Sequence, residues 1–207
     1  VDDPKVASVA RGFGADVIET PKEIASGSDR IAYVANIYKE AEIIANIQGD
    51  EPFIHGEMID QAIEPLLFDK SIEVTTLIKQ IQTLKELRSP DVVKVVFDYN
   101  NYALYFSRSP IPFTRSAISD SAALEITNYY KHIGLYVFRR NALLKFTSLK
   151  QTDLEKTEML EQLRMLENGI RIKVVETEYE SISVDTQEDL KRARTYYKWL
   201  QKREKEK

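Results

Sequence analysis

The sequence predicts an α/β domain built on a mixed, mostly parallel sheet with one hairpin excursion. Three observations lead there. Amphipathic helical spacing and short apolar runs alternate from Pro4 to Ile81, which is the rhythm of strands joined by crossover helices. Two β-rich runs, 92–97 and 102–106, flank Asp98-Tyr99-Asn100-Asn101, whose turn-forming residues mark an antiparallel hairpin. The 207 residues, 43% hydrophobic and 30% charged, suffice for one well-filled core and are too apolar for a disordered chain.

Taken in order, 4–13 reads as a helix, with Val6, Val9, Ala10 and Phe13 at helical spacing, Pro4 in the first turn and Gly14 as the stop. Residues 15–19 read as a short strand. Ser28 caps a second helix carrying Ile31, Val34, Ala35 and Tyr38. The unbroken apolar run 43–47 has the character of a strand covered on both faces. Residues 58–68 form an amphipathic helix despite Pro65, and 74–81 a strand. Small and polar residues over 116–128 predict a flexible excursion. A strand over 132–138, a short helix over 141–146, one longer helix over 153–168 stopped by Gly169, and a strand over 170–177 follow. The last helix starts after Thr186, with Asp189 completing the cap, and runs into the charged tail 202–207. Without repeats or a Pro-, Gly- or Ser-rich linker, 1–207 reads as a single domain.

Charge and composition narrow the chemistry. The net charge of -4 gives no basic field for nucleic acid. No cysteine is present, which removes thiol nucleophiles and thiolate-held zinc, and His55 and His132 are too few for an imidazole-rich site. A metal here is expected on carboxylates. No apolar run is long enough to span a bilayer and no secretory signal is evident, so a cytoplasmic protein is expected, with no membrane partner. The sequence opens on Val1-Asp2-Asp3-Pro4, which reads like the end of a buried strand entering a turn.

Six motifs carry candidate chemistry. In Asn46-Ile47-Gln48-Gly49-Asp50-Glu51-Pro52 a strand delivers Gln48 and Asp50 at its carboxyl end, where open α/β sheets bind ligands, and Asp50 suits a hard cation such as Mg²⁺. A polar turn accounts for it equally well. Ser26-Gly27-Ser28-Asp29-Arg30 opens a helix, whose free N–H groups suit an anion, although capping alone explains Ser28. Asp185, before the last helix, can face the same crevice as Asp50 and share Mg²⁺ with it, or simply favour the helix dipole. Arg108 ends a strand between Ser107 and Pro110. His132, Gly134 and Tyr136 share one strand face, where a satisfied core histidine is the usual meaning. Around Leu160-Glu161-Gln162-Leu163-Arg164 the leucines form a buried stripe that leaves Glu161 on the opposite side.

Singly these signals are modest, but their order is distinctive. The succession of 26–30, 46–52, 93–96, 103–108, 132–136, 160–164 and 184–189 closely resembles the 3-deoxy-manno-octulosonate cytidylyltransferases, or CMP-Kdo synthetases. The resemblance implies a three-layer nucleotide-binding fold of the sugar-nucleotidyltransferase type. It implies CTP and Kdo as substrates, CMP-Kdo for lipopolysaccharide synthesis as product, Mg²⁺ as cofactor, and a cytoplasmic homodimer. Carried over residue by residue, Asp50 and Asp185 resemble the metal carboxylates and, with Arg30, the catalytic set. Ser28, Asp29, Arg30 and Gln48 resemble the nucleotide contacts, and His132, Tyr136, Glu161 and Gln162 the sugar pocket. Family members begin with a strand and a Gly- and Arg-containing phosphate loop, expected before Val1, so the 207 residues are expected to be truncated and inactive alone. Ser183 stands where the family has Gly before Val-Asp-Thr, and the 98–101 turn lacks the family's usual Gly. Another CMP-sugar-acid synthetase is the nearest alternative, and a noncatalytic sugar-binding or dimerising remnant the next.

Overall fold

The computed structural model of the chain describes residues 1–24, 26–181, 183–184 and 186–205. Its elements in order are α1 (Pro4–Gly12), α2 (Gly27–Ile37), β1 (Ile43–Ile47), α3 (Gly56–Phe68), β2 (Val74–Gln80), α4 (Leu84–Arg88), β3 (Lys94–Phe97), β4 (Ala103–Ser107), α5 (Asp120–Ile126), β5 (Tyr130–Arg139), α6 (Arg140–Ser148), α7 (Asp153–Glu158), α8 (Gln162–Glu167), β6 (Ile172–Glu176) and α9 (Gln187–Lys205).

Strict alternation along β5 sorts the molecule into three layers. Ile133, Leu135 and Val137 point to one face, where Leu77 of β2 and Met58, Ala62 and Leu66 of α3 enclose them. His132, Tyr136 and Phe138 point to the other. There Phe138 joins Val74, Ile78, Phe106, Leu143, Phe146 and Leu163 in the larger core beneath α2, α6 and α8. A small third cluster of Ile81, Leu87, Ala123 and Tyr129 seals the end near α4 and α5.

The strand order is β4-β3-β5-β2-β6, with β1 also paired to β5. One edge of β5 carries β2; the other is shared end to end by β3 at Tyr130 and Lys131 and by β1 at Leu135 to Arg139. The mixed α/β sheet expected from the sequence is present, but its parallel share is smaller than expected. Among the described strands only β2 and β6 pair in parallel, while the β1–β5, β2–β5, β3–β5 and β3–β4 ladders are antiparallel. Apolar periodicity carries no strand direction, so it could not reveal that β5 runs back through the middle of the sheet.

Other local expectations change too. Residues 15–19 are not a regular strand, although Val1 N–H donates to Ile18 O (2.9 Å) and Thr20 N–H donates to Val1 O (2.8 Å) as neighbouring strands would. The α2 cap is Ser26, whose Oγ accepts the Asp29 N–H at 3.1 Å, and this frees Ser28 for other work. In β1 only Asn46 is fully buried, because among the described strands β1 has a single neighbour. The expected excursion contains α5, capped by Ser119; its Ala-Ala-Leu centre is a good helix former that the surrounding polar residues disguise. The single helix expected over 153–168 is two, broken at Met159, which adopts the left-handed conformation (φ 56°, ψ 47°).

The hairpin turn shows how the chain manages without glycine. Asn101 sits at φ 57°, and Asp98 Oδ1 accepts the N–H groups of Asn100 (2.9 Å) and Tyr102 (2.8 Å). Asn tolerates the left-handed region better than other non-glycine residues. Asn101→Ala is expected to lower stability by about 1 kcal/mol, measured by urea unfolding, with Asn101→Gly neutral or slightly stabilising.

Candidate active site

The site begins where β1 ends against β5. On β5 the edge partners change beside Gly134, and the side chain of Gln48 crosses at this point. A Cβ on Gly134 would lie 3.8 Å from Gln48 Cγ, and one on Gly27 3.8 Å from Gln48 Oε1, so Gln48 bridges the start of α2 and the middle of β5. Asn46 is buried opposite Tyr136 in the β1–β5 register, and its Oδ1 accepts from Gln48 Nε2 at 3.4 Å.

From α2, the buried Ser28 hydroxyl donates to Glu161 Oε2 at 2.8 Å, a contact between residues 133 positions apart in the chain. The break at Met159 makes it possible, because a continuous helix would keep Glu161 on the face away from the core. Arg108 secures that break. Its Nε donates to Glu158 O (2.8 Å), and Glu158 in turn accepts from Ser107 Oγ (2.7 Å) and the Arg108 N–H (2.9 Å). The Arg108 motif is thus a clamp beneath the site. Gln162 is buried in the first turn of α8.

His132 and Tyr136 complete this face. Thr76 Oγ1 lies 2.9 Å from His132 Nε2 and 2.8 Å from Leu135 O. A hydroxyl has one proton; when it donates to Leu135 O it accepts from Nε2–H, which leaves Nδ1 as an acceptor. Burial lowers the His132 pKa to about 3, so the ring is neutral near pH 7. Unfolded imidazole binds a proton below about 6.5, while the folded ring does not until about 3; stability therefore falls as the pH drops through this interval. NMR titration of His132 should show no transition above about pH 5. Burial, and then the nearby Glu161 charge, push the Tyr136 phenol well above its usual range. Its hydroxyl is buried without a hydrogen-bond partner among the described residues, an uncommon state for a buried polar atom.

Asp50 lies in the turn after Gln48, exposed at a cleft of about 760 Å³ lined also by Pro52, Phe53, Val184 and residues of α9. The Val184 N–H donates to Asp50 O at 2.8 Å, which joins the Gln48–Pro52 and Ser183–Asp189 motifs; Asp185 itself lies outside the described residues. Arg30 is turned elsewhere, its guanidinium donating to Asp2 Oδ2 (2.8 Å), Pro21 O (3.3 Å) and the Thr20 hydroxyl. Asp29 accepts from Ser26 Oγ (2.9 Å) and lines a separate cleft of about 490 Å³ with Tyr33, Asn36 and Leu144. Of the expected site residues, Ser28, Gln48, His132, Tyr136, Glu161 and Gln162 gather on one side of the sheet, and Asp50 stands at the adjoining strand end. Sequence reasoning places Asn46 within its motif but gives it no role, and misses Thr76; they contact Gln48 and His132, and the polar interruptions of two otherwise apolar strands were the available signal.

The cytidylyltransferase family pattern matches residues 1–172. The 3-deoxy-manno-octulosonate cytidylyltransferase of Trichlorobacter lovleyi is 49% identical over 197 residues, covering 93% of this chain and 78% of its own length. That of Geobacter sulfurreducens is 51% identical over 195 residues, with 92% and 78% covered. Among solved structures, a CMP:2-keto-3-deoxy-manno-octonic acid synthetase complexed with CTP matches with a TM-score of 0.87 at 36% identity, over 96% of this chain and 79% of that one. A 4-diphosphocytidyl-2C-methyl-D-erythritol synthase from Anaerococcus prevotii, at 16% identity and TM-score 0.54 over 95% and 77%, shares the fold alone. With its strand-end acidic turn and its polar pocket set in this fold, the chain belongs to the family of 3-deoxy-manno-octulosonate cytidylyltransferases.

Proposed function

We propose that this protein transfers a cytidylyl group from CTP to Kdo, giving CMP-Kdo and pyrophosphate. The observation that carries the reading is the convergence of Ser28, Gln48, Tyr136 and Glu161, from four stretches of chain, on one polar pocket beside Asp50, in a relative of enzymes bearing that name. In the reaction the anomeric hydroxyl oxygen bonds to the α-phosphorus and loses its proton to solvent. The α–β bridging bond breaks, and its electron pair leaves on pyrophosphate.

The residues supply positions and partners. Gln48, Ser28 and Asp29 serve the nucleotide side, with Arg30 acting through the segment it holds at Asp2 and Thr20. The Nδ1 acceptor of His132, the unpartnered Tyr136 hydroxyl, Glu161 and Gln162 offer directional partners to sugar hydroxyls. The chain's acidic groups fit Mg²⁺ as a shared site, not as a closed cage. No cluster of three or more ligating side chains occurs among the described residues, and Mg²⁺ is commonly held by one or two carboxylates plus substrate phosphates and water. Asp50 and Asp185 are the proposed carboxylates; the ion would neutralise phosphate charge.

The protein is further proposed to act in the cytoplasm in lipopolysaccharide synthesis; no described helix is long and apolar enough to cross a membrane. A homodimer is supported by the exposed apolar side chains of Phe113, Ile118 and Ile126 (88%, 98% and 60% exposed), and sedimentation velocity measures it. The activity is tested with CTP, Mg²⁺ and a panel of sugar acids, using the protein with any residues its gene encodes before Val1. Kdo-dependent pyrophosphate release and a CMP-Kdo mass are expected. Turnover of sialic acid in preference to Kdo would move the assignment to another CMP-sugar-acid synthetase, and sugar binding without turnover to a noncatalytic protein.

A further inference from the structure

The chain that leaves β6 crosses the end of the sheet before it reaches the last motif. The Thr177 N–H donates to Ile78 O at 3.0 Å and so extends the parallel β2–β6 ladder past the end of β6. Tyr179 packs against the cluster of Met58, Leu77 and Leu135, and its ring lies 5.0 Å from that of His55. Ser181 Oγ donates to the Glu51 carboxylate, and the Val184 N–H donates to Asp50 O at 2.8 Å. This strap therefore runs from β2 to the turn after β1 and joins the two acidic motifs.

Midway along the strap, Glu180 meets a pair of like charges. Lys79 of β2 and Lys131 of β5 stand directly opposite each other in the antiparallel ladder, each with a side chain only 15% exposed. Cations so placed repel, and little water reaches them to screen the repulsion. Two carboxylates compensate them. Glu86 of α4 takes Lys131 at 2.5 Å, and Glu180 sets one oxygen on each lysine, Oε1 at 3.1 Å from Lys79 Nζ and Oε2 at 3.3 Å from Lys131 Nζ. Lys79 also donates to the Glu178 carbonyl. Burial alone would lower the Lys131 ammonium, but Glu86 and Glu180 hold it above its usual range. An isolated exposed ion pair contributes little, whereas one carboxylate that bridges two largely buried cations belongs to a network. Glu86 stays with the body of the protein; Glu180 arrives only with the strap, so seating the strap is what completes the charge balance.

We propose that Glu180 is a positioning residue for the transfer reaction: by bridging Lys79 and Lys131 it fixes the path of the strap, and with it the approach of the Ser183–Asp189 motif to the Asp50 turn. The inference rests on the cytidylyltransfer reading and deepens it. A strap without its central anchor holds the Val184–Asp50 bond less firmly, and a metal ligand that wanders from its place loses affinity for the ion. Lys131 alternates with His132 along β5, so the bridge lies on the face of the sheet away from the sugar pocket. The effect should therefore fall on the metal side and spare the sugar side.

The test is amide hydrogen exchange over 177–184 and 130–138, alongside steady-state kinetics. Glu180→Gln keeps the shape of the side chain and removes its charge. Protection over 177–184 should fall about fivefold, while protection over 130–138 and the thermal midpoint stay at the parent's values. At about 1 M salt the parent should approach the variant. Glu178→Gln removes the same charge two positions away, where it is the carbonyl that meets Lys79, and should match the parent. In turnover, Glu180→Gln should raise the Mg²⁺ concentration for half-maximal rate about fivefold or more and leave the KM for Kdo unchanged, a split that a general loss of stability would not produce. Parent-like protection over 177–184 in Glu180→Gln, an equal loss in Glu178→Gln, or an unchanged Mg²⁺ dependence overturns the proposal. If circular dichroism shows Glu180→Gln unfolded, the parent's own protection at low and high salt decides: a loss confined to 177–184 supports the bridge, and no loss overturns it. The exchange result obtained with a parent that makes no CMP-Kdo would overturn the activity assignment and leave Glu180 as the anchor of the strap.

Discussion

Asp50→Asn should reduce CMP-Kdo synthesis by at least about 100-fold at ordinary Mg²⁺, with little change in thermal unfolding. The carboxylate is exposed at the cleft, and among the described residues the hydrogen bond of this residue to the second motif is through its backbone carbonyl, which accepts the Val184 N–H at 2.8 Å. Asn keeps that carbonyl and nearly the same shape while removing the charge. The loss should therefore fall on turnover, and raising Mg²⁺ should recover part of it. Single-turnover kinetics at several Mg²⁺ concentrations separates the effect from substrate binding. Unchanged turnover would exclude Asp50 as a metal ligand.

The largest effect on stability is expected from Arg164→Leu, at about 3–5 kcal/mol, enough to bring an ordinary domain close to unfolding. Arg164 Nε and Nη2 donate to Glu155 Oε2 (2.8 Å) and Oε1 (2.5 Å), and both side chains are almost fully buried. Burial alone would raise the Glu155 carboxyl, but the Arg164 hydrogen bonds, the Thr152 N–H and nearby positive charge together hold it below its usual range. Because the folded value lies below the unfolded one, this stabilisation is complete above the unfolded carboxylate pKa and is lost as the pH falls through the folded value. Replacing both residues by Leu should cost less than replacing Arg164 alone, since no buried charge is left unpaired. Urea unfolding of the single and double variants across acidic pH measures this. The same pair fixes α8, so the Arg164 variant should also bind Kdo more weakly.

Much of this arrangement is legible in the residue order. The two-residue alternation at 132–138 is enough to place His132 and Tyr136 on one face, and the run ending in Gln48 and Asp50 marks a strand end. What stays hidden depends on distant partners. Glu155 and Arg164 lie nine positions apart, a spacing that faces neither toward the other on one continuous helix; the left-handed turn at Met159 brings them together. Ser28 reads as a cap because a helix start needs one, and Ser26 fills that need just as well in sequence. Arg30 reads as an anion binder because no sequence pattern shows Asp2 coming to meet it.

Strand β5, hydrogen-bonded to β1, β2 and β3, gives the two halves of the pocket unequal lifetimes. Amides around His132 and Tyr136 lie between β2 on one edge and β3 or β1 on the other, so their hydrogen exchange should follow global unfolding. Among the described residues the Asp50 turn and the α9 region are tied by the Val184–Asp50 backbone bond, the Ser181–Glu51 hydrogen bond and the Phe53–Tyr196 ring contact, and they should exchange through local opening. The Tyr136 side of the pocket is thus held fixed, and the Asp50 turn with α9 is the part free to open locally.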